Sequence, residues 1–249
     1  MLEGARIAVI VPAFNEERLI ARTLRGIPAL VDAVYVVDDA SRDGTVEAAR
    51  SLGDPRVRVV VHETNRGVGA AIATGYRQAR TEGADVMVVM AGDAQMHPDD
   101  LLPLLLPVVR GDADYAKGNR MAHPSVRQVM PRARYQVGRW LSRLTRWAAG
   151  LPSLSDSQCG YTAISARAID AIDLDALWPR YGYPNDLIGK LALAGMRIRD
   201  VVVRPVYADE KSGIRPWHVL VILWLIARIF AMRVMHRAAS PKGQIAAAR

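Results

Sequence analysis

The chain of 249 residues has one cysteine, Cys159. An internal disulfide framework is excluded, and so is a zinc site built from several cysteines. A single thiol fits a reducing compartment, and Cys159 is expected in buried packing. The N-terminal residues Met1-Leu2-Glu3-Gly4-Ala5-Arg6 lack a basic segment followed by an apolar one, so no signal peptide is expected. Aromatic residues are only 6% of the chain. Without a helix-turn-helix, zinc-finger or base-stacking signature, nucleic acid is not an expected partner. No internal repeat or low-complexity segment is present. The first strand-like run ends in Pro12-Ala13-Phe14-Asn15, not in a Gly-x-Gly-x-x-Gly turn, which argues against a dinucleotide-binding oxidoreductase.

What is present is unevenly charged. Residues 1–115 hold 12 Lys/Arg against 17 Asp/Glu, and residues 116–249 hold 21 against 8, for a net charge of +8. Between Tyr115 and Ser155 there is no acidic residue. Lys117, Arg120, Arg127, Arg132, Arg134, Arg139, Arg143 and Arg146 fall there. Such a segment either attracts an anion (nucleic acid, a lipid headgroup or a phosphorylated substrate) or forms a solvated basic helix face. With 51% hydrophobic residues, the chain has ample material for the core of one large domain.

The apolar runs 6–11, 33–37, 57–61 and 85–90 read as buried strands. Residues 16–30, 45–52 and 68–82 between them read as helices. Alternation of this kind implies βαβ units and a largely parallel sheet. Beyond Asp114 the pattern breaks. Residues 131–149 read as a basic amphipathic helix, 159–164 as a strand, 186–194 as a helix and 196–203 as a strand. Nearly every residue from Trp217 to Ala227 is apolar, a run shorter than the ~20 residues of a membrane span. Arg233, His236 and Arg237 follow at helical spacing. An interfacial membrane helix fits this pattern, as does a helix docked on the core or on a second subunit.

In open α/β sheets ligands bind outside the carboxyl ends of the strands. Four clusters are expected there. They are Val11-Pro12-Ala13-Phe14-Asn15-Glu16-Glu17, Asp38-Asp39-Ala40-Ser41-Arg42-Asp43-Gly44-Thr45, Thr64-Asn65-Arg66-Gly67-Val68-Gly69, and the stretch from Ala91 through Gly92, Asp93 and Gln95 to Pro98. Asp93 and Gln95 offer oxygen to a hard divalent cation. The alternative for that loop is helix capping without a metal. Gly67 and Gly69 either let a nucleotide approach the backbone or form a plain turn.

These clusters, in this order and spacing, resemble the inverting glycosyltransferases of family 2. The likeness is strongest to the dolichol- and polyprenol-phosphate mannose or glucose synthases, and it extends from Ile7 to about Ile214. Later blocks match too: Lys117-Gly118-Asn119-Arg120, Asp156-Ser157-Gln158-Cys159-Gly160-Tyr161, Gly182-Tyr183-Pro184-Asn185-Asp186-Leu187 and Tyr207-Ala208-Asp209-Glu210-Lys211-Ser212. The resemblance implies an α/β fold of the GT-A type, a mostly parallel central sheet flanked by helices, with a C-terminal amphipathic helix. It divides the chain into a catalytic domain (1–215), an amphipathic juxtamembrane helix (216–237) and a disordered tail (238–249). Within the catalytic domain, residues 1–115 would bind the nucleotide-sugar and 116–215 the acceptor.

The resemblance also implies site roles. Pro12, Phe14, Asn15, Glu16, Gly67, Gly69 and Gly92 would line the nucleotide pocket, and Asp39 would hydrogen-bond the base. Asp38 would instead organise its loop through backbone N–H groups. Asp93, with Gln95, would hold Mg²⁺ or Mn²⁺ against the donor diphosphate. Relatives often carry a further aspartate where this chain has Ala91, leaving one protein carboxylate for the metal. Arg120, Arg134 and Arg139 would neutralise a lipid phosphate, for which arginine's fork is suited. Lys211, in a loop with Glu210 and Ser212, would touch diphosphate. If the acceptor were instead a glycan or small-molecule hydroxyl, Asp186, or less readily Asp156, would serve as base. The expected partners are a nucleotide-sugar donor, a polyprenyl phosphate and a membrane surface reached by the C-terminal helix, with a homo-oligomer or a separate membrane subunit as a further option. The expected location is peripheral, on the cytoplasmic side of the membrane.

Overall fold

The computed structural model describes residues 1–207 and 216–239. In chain order the elements are β1 (Ile7–Ala13), α1 (Ile20–Gly26), β2 (Ala33–Asp38), α2 (Thr45–Arg50), β3 (Val57–Val61), α3 (Val68–Thr81) and β4 (Val86–Val89). A 3₁₀ turn at Pro98–Asp100 leads into α4 (Leu101–Val109). Then come β5 (Tyr115–Asn119), α5 (Val126–Val129), α6 (Arg132–Ala149), β6 (Thr162–Ser165), α7 (Ala166–Asp170), α8 (Tyr183–Leu193), β7 (Ile198–Val202) and α9 (Pro216–Ala239).

The strands form one seven-stranded sheet in the order β3-β2-β1-β4-β6-β5-β7. β6 runs antiparallel to both neighbours, and every other pairing is parallel. β1 shows how the sheet separates two cores. Ile7, Val9 and Val11 face one side with Ile20 and Leu24 of α1 and Leu101 of α4. Ala8 and Ile10 face the other, with Ile72 and Tyr76 of α3, Leu187 of α8 and Ile226 of α9. Both faces being covered explains the near-continuous apolar runs.

Several elements differ from the sequence expectation, and three of the differences bear on the site. β1 does not stop at Pro12 but continues to Ala13. Its ladder with β4 ends at Ile10, so Pro12 sits where no β4 strand needs its missing N–H. α1 is confined to 20–26, after a turn in which Ile20 N donates to Glu16 O.

The third is α9. It runs unbroken for 24 residues, and Trp217–Ala238 is long and apolar enough to cross a membrane by length and composition. The length argument from 217–227 therefore does not hold, because Arg228 interrupts the apolar run but not the helix. Nor is α9 apolar on one side and basic on the other. Ile222, Leu225, Ile226 and Ile229 are buried against the body, while Trp217, Leu220, Trp224, Val234 and Met235 are exposed. Two of its arginines turn inward, while Arg237 is exposed. Arg228 Nη2 lies 3.7 Å from Asp186 Oδ1, and Arg233 Nη1 donates to Trp147 O at the end of α6 at 2.8 Å.

Candidate active site

The carboxyl ends of β1 and β4, the start of α3 and the loop before α8 surround a cavity of about 740 Å³. Pro12, Asn15, Glu16, Asp93 and Gln95 line it, as do Arg120 and Arg134 from the second half of the chain and Ile222 from α9.

The donor side is held by tight, unusual backbone. Asn15, Ala40 and Ala94 have φ of 57°, 62° and 56°. Asparagine tolerates that left-handed conformation; for alanine it costs roughly 1–2 kcal/mol. Each alanine follows an aspartate of the site, Asp39 or Asp93. Asn15 Oδ1 accepts from Arg42 N at 2.9 Å and its own N–H donates to Ser41 Oγ, tying the β1 loop to the β2 loop. Asp38 is buried, and its Oδ2 accepts from Ser41 N at 3.0 Å, as a loop-organising residue would.

Asp39 is buried too. Its Oδ1 accepts from Arg66 N and meets His62 Nδ1, both at 2.8 Å; its Oδ2 accepts from Gly67 N at 2.7 Å. His62 Nε2 meets Thr74 Oγ1 at 3.0 Å, so His62 locks the Asp39 carboxylate to α3. Nothing in the sequence singles out His62. A carboxylate offers about four acceptor sites, and three are used here.

Gln95 N donates to Asp93 Oδ1 at 3.1 Å, which points both side chains into one turn. Burial, then the charges of Asp93 and Asp43, push the Glu16 carboxyl up to about 7. Burial, with Asp93 and Glu16, also raises the Tyr181 phenol. Negative charge thus concentrates at this part of the cavity. Among the described residues no group of three His, Cys, Asp or Glu side chains could hold a metal alone. The donor set, one carboxylate and one amide with Glu16 nearby, fits Mg²⁺ or Mn²⁺, which keep water and substrate phosphate as ligands.

On the acceptor side Arg120 and Asp156 form a two-pronged ion pair, Nε–Oδ2 2.9 Å and Nη2–Oδ1 3.1 Å. Arg134 lies over the Tyr207 ring, 4.8 Å from its centroid. Lys117 is fully buried; its ammonium donates to Cys159 O, and burial lowers its pKa. Cys159 is buried, as expected.

Several expected site residues stand elsewhere. Phe14 is 44% exposed and does not line the cavity. Gly67 and Gly69 pack on protein backbone and not at the cavity. A Cβ on Gly69 would lie 2.2 Å from Trp178 O, and one on Gly67 2.5 Å from Pro179 O. Gly69 N donates to Pro179 O at 2.8 Å, so the close approach these glycines allow is to the loop before α8. Gly92 is buried beside Ile20 and Ala13 at the α1 junction. Arg139 lines a different hollow, described below. Asp186 is fully buried; its Oδ2 accepts from Trp178 N at 2.9 Å and its Oδ1 faces Arg228. Among the described residues it has these two partners and is not part of the cavity lining, which suits a structural carboxylate. Asp156, the lesser base candidate, is likewise fully buried and held by Arg120. Lys211, Glu210, Ser212 and the tail 240–249 lie outside the described residues. Arg18, Arg204, Tyr181 and His218 line the cavity without having been expected to.

The comparisons agree with this geometry. Residues 8–172 match the family model "Glycosyl transferase family 2". An undecaprenyl-phosphate mannosyltransferase of Micrococcus luteus is 36% identical over 203 residues, covering 80% of this chain and 82% of that protein. A UDP-N-acetylglucosamine–dolichyl-phosphate N-acetylglucosaminyltransferase of Methanococcus voltae is 26% identical, covering 92% and 96%. Among solved structures, glucosyl-3-phosphoglycerate synthase from Mycobacterium tuberculosis in complex with UDP superposes with a TM-score of 0.69 at 22% identity, covering 92% of this chain and 81% of that one. The same enzyme has been crystallised with Mn²⁺ and UDP-glucose and with Mg²⁺ and UDP. The mixed sheet with helices on both faces is thus of the GT-A type, and the chain belongs to glycosyl transferase family 2.

Proposed function

We propose that the protein moves one sugar, with inversion, from a nucleotide-sugar of the GDP-mannose or UDP-glucose type to a polyprenyl phosphate at a membrane surface. The observation that carries this reading is the make-up of one cavity. Oxygen donors (Asp93, Gln95, Glu16), guanidiniums (Arg120, Arg134) and an apolar residue of α9, Ile222, share its walls. A nucleoside diphosphate, an acceptor phosphate and a lipid chain need those three linings.

Residues 1–115 hold the donor. Asp39 is buried outside the cavity lining, fixed by His62 and two backbone N–H groups; one acceptor site of its Oδ2 is left over, and a ring N–H of the base would have to reach in to use it. Asp93 and Gln95 would hold Mg²⁺ or Mn²⁺, which would supply charge neutralisation for the departing diphosphate. On the other side, Arg134, held over the Tyr207 ring, would offer its donors to the acceptor phosphate. A phosphate monoester has a second pKa of about 6, so it is mostly a dianion at neutral pH and attacks without a base. The burial of Asp186 and Asp156 agrees with a reaction that needs none. The exposed row Trp217, Leu220, Trp224, Val234 and Met235 would lie in the headgroup region of the cytoplasmic leaflet, with α9's inner face on the protein.

The test is a transfer assay. Purified protein, Mg²⁺ or Mn²⁺ and a short-chain polyprenyl phosphate are incubated with GDP-mannose, UDP-glucose and related donors in parallel. A metal-dependent lipid-linked sugar from one donor is the expected result. Donor binding without transfer to lipid would refute the acceptor and point to a hydroxyl.

A further inference from the structure

A second hollow of about 370 Å³ lies against α6, apart from the donor cavity. Arg127, Arg139, Arg143 and Arg146 line it together with Asn119 and Ser155, and no carboxylate among the described residues does. Several surface arginines elsewhere are paired with a carboxylate: Arg80 with Asp170, Arg110 with Glu3, Arg197 with Asp114, Arg204 with Asp99. In the hollow two of the four instead share one tyrosine. Arg127 and Arg139 lie 5.9 and 5.4 Å from the centroid of the Tyr135 ring, and their hydrogen bonds and charge hold its phenol below its ordinary pKa. The Asp200 carboxyl reaches the hollow only through Asn119 Nδ2 and Ser155 N, and among the described residues it pairs with none of the four arginines, so their like charges repel and an anion would relieve them.

The setting says which anion. Arg139, Arg143 and Arg146 follow one another at i, i+4 and i+7, so they form a row along α6. Beside it runs a second row, Val137, Trp140, Leu144 and Trp147, at i, i+3, i+7 and i+10. Val137, Trp140 and Trp147 are 43%, 48% and 62% exposed. Trp147 stacks on Phe230 of α9, centroids 4.4 Å apart and planes 13° from parallel. The exposed apolar row of α6 therefore joins the exposed apolar row of α9. Tryptophans at the headgroup level with arginines alongside match the layered chemistry of a bilayer surface.

We propose that this hollow is a second, non-catalytic anion site that takes the phosphate of an anionic membrane phospholipid. It rests on the reading of the α9 face as membrane-facing and adds to it a headgroup site on α6. The site fixes the roll of the protein about the α6–α9 apolar row relative to the membrane plane, which an apolar stripe alone leaves open.

The test uses the full chain and co-sedimentation with two kinds of vesicle, pure phosphatidylcholine and phosphatidylcholine with phosphatidylglycerol, at physiological salt. Arg143→Gln with Arg146→Gln is compared with Arg25→Gln with Arg50→Gln, which removes the same charge from α1 and α2. At about fivefold per arginine near an anionic surface, the hollow pair should lose roughly thirtyfold in partition onto the phosphatidylglycerol vesicles. The control pair should lose less than about threefold, and binding to pure phosphatidylcholine should not change. Arg143→Gln alone, at an exposed position, carries the test if the double variant melts early. Equal losses in the two pairs, or no preference of the native chain for phosphatidylglycerol, would overturn the site while leaving membrane binding intact. If the native chain binds neither vesicle, the membrane-facing reading fails as well. Stabilisation by inorganic phosphate that is lost in the hollow pair, without vesicle preference, would replace the lipid by a soluble anion and overturn the assignment.

Discussion

Arg120 and Asp156 grip each other through two side-chain hydrogen bonds, and Asp156 Oδ2 also accepts from Arg120 N at 3.1 Å. The Asp156 side chain is wholly buried. Arg120 therefore reaches the cavity with its charge already balanced, whereas among the described residues Arg134 has the Tyr207 ring beneath it and no carboxylate partner. The two arginines should respond differently to mutation.

Asp156→Ala leaves a buried guanidinium without its partner. Breaking such a pair costs about 3–5 kcal/mol. Chemical denaturation should show that loss. Arg134→Ala should cost under about 1 kcal/mol and instead raise the KM for polyprenyl phosphate, with donor binding unchanged. Comparable stability losses in both variants would contradict the difference in their settings.

Asp93→Ala should abolish sugar transfer, by at least about a hundredfold, the scale seen when one preorganised electrostatic contact to a transition state is removed. The thermal melt should stay within a few degrees of the native one. Retained transfer would remove Asp93 from the metal site.

Asp186→Asn keeps an acceptor for Trp178 N but loses the charge facing Arg228. Turnover should stay within severalfold of native, and stability should fall. A variant that folds with native stability but does not turn over would restore Asp186 as a base.

Burial first, and then the nearby Asp156, push the Asp200 carboxyl up to about 6, against the ordinary 3.8. Its Oδ2 accepts from Asn119 Nδ2 and Ser155 N, while Oδ1 has no hydrogen bond. The native fold holds this proton more tightly than the unfolded chain does. Stability contributed by Asp200 is therefore full below about pH 3.8 and lost as pH rises to about 6. Asp200→Asn should abolish that fall and leave the protein more stable than native at pH 8. Urea midpoints at pH 4 and pH 8 measure it; parallel pH profiles for the two proteins would refute it.

The parts of the fold that were legible in the sequence are those whose signal is local. Val57–Val61 is a β-branched run between turns, and the strand has those bounds. The clusters at the ends of β1, β2 and β4 follow from the parallel sheet, and Asp93 and Gln95 do share a cavity with Asn15 and Glu16. β5 was not legible. Its Tyr-Ala-Lys-Gly-Asn carries a lysine whose burial is stabilised by the Cys159 carbonyl, 42 residues away. Gly69 looks like a nucleotide-binding glycine because its neighbour, the Trp178 carbonyl, arrives from more than a hundred residues downstream. Asp186 looks like a base for the same reason, since only the packed α9 brings Arg228 to it. Long-range polar partners separate a structural carboxylate from a catalytic one, and spacing along the chain does not encode them.

Ile222 and Trp224 stand two residues apart on α9, the first in the wall of the donor cavity and the second exposed outside. On the proposed reading a single helix, about 10 Å across, is the whole threshold between bilayer and reaction chamber. A long-chain acceptor then need not be extracted from the lipid. Its phosphate leans over a sill while its tail stays in oil, and chain length ceases to matter beyond the few isoprene units that cross that sill.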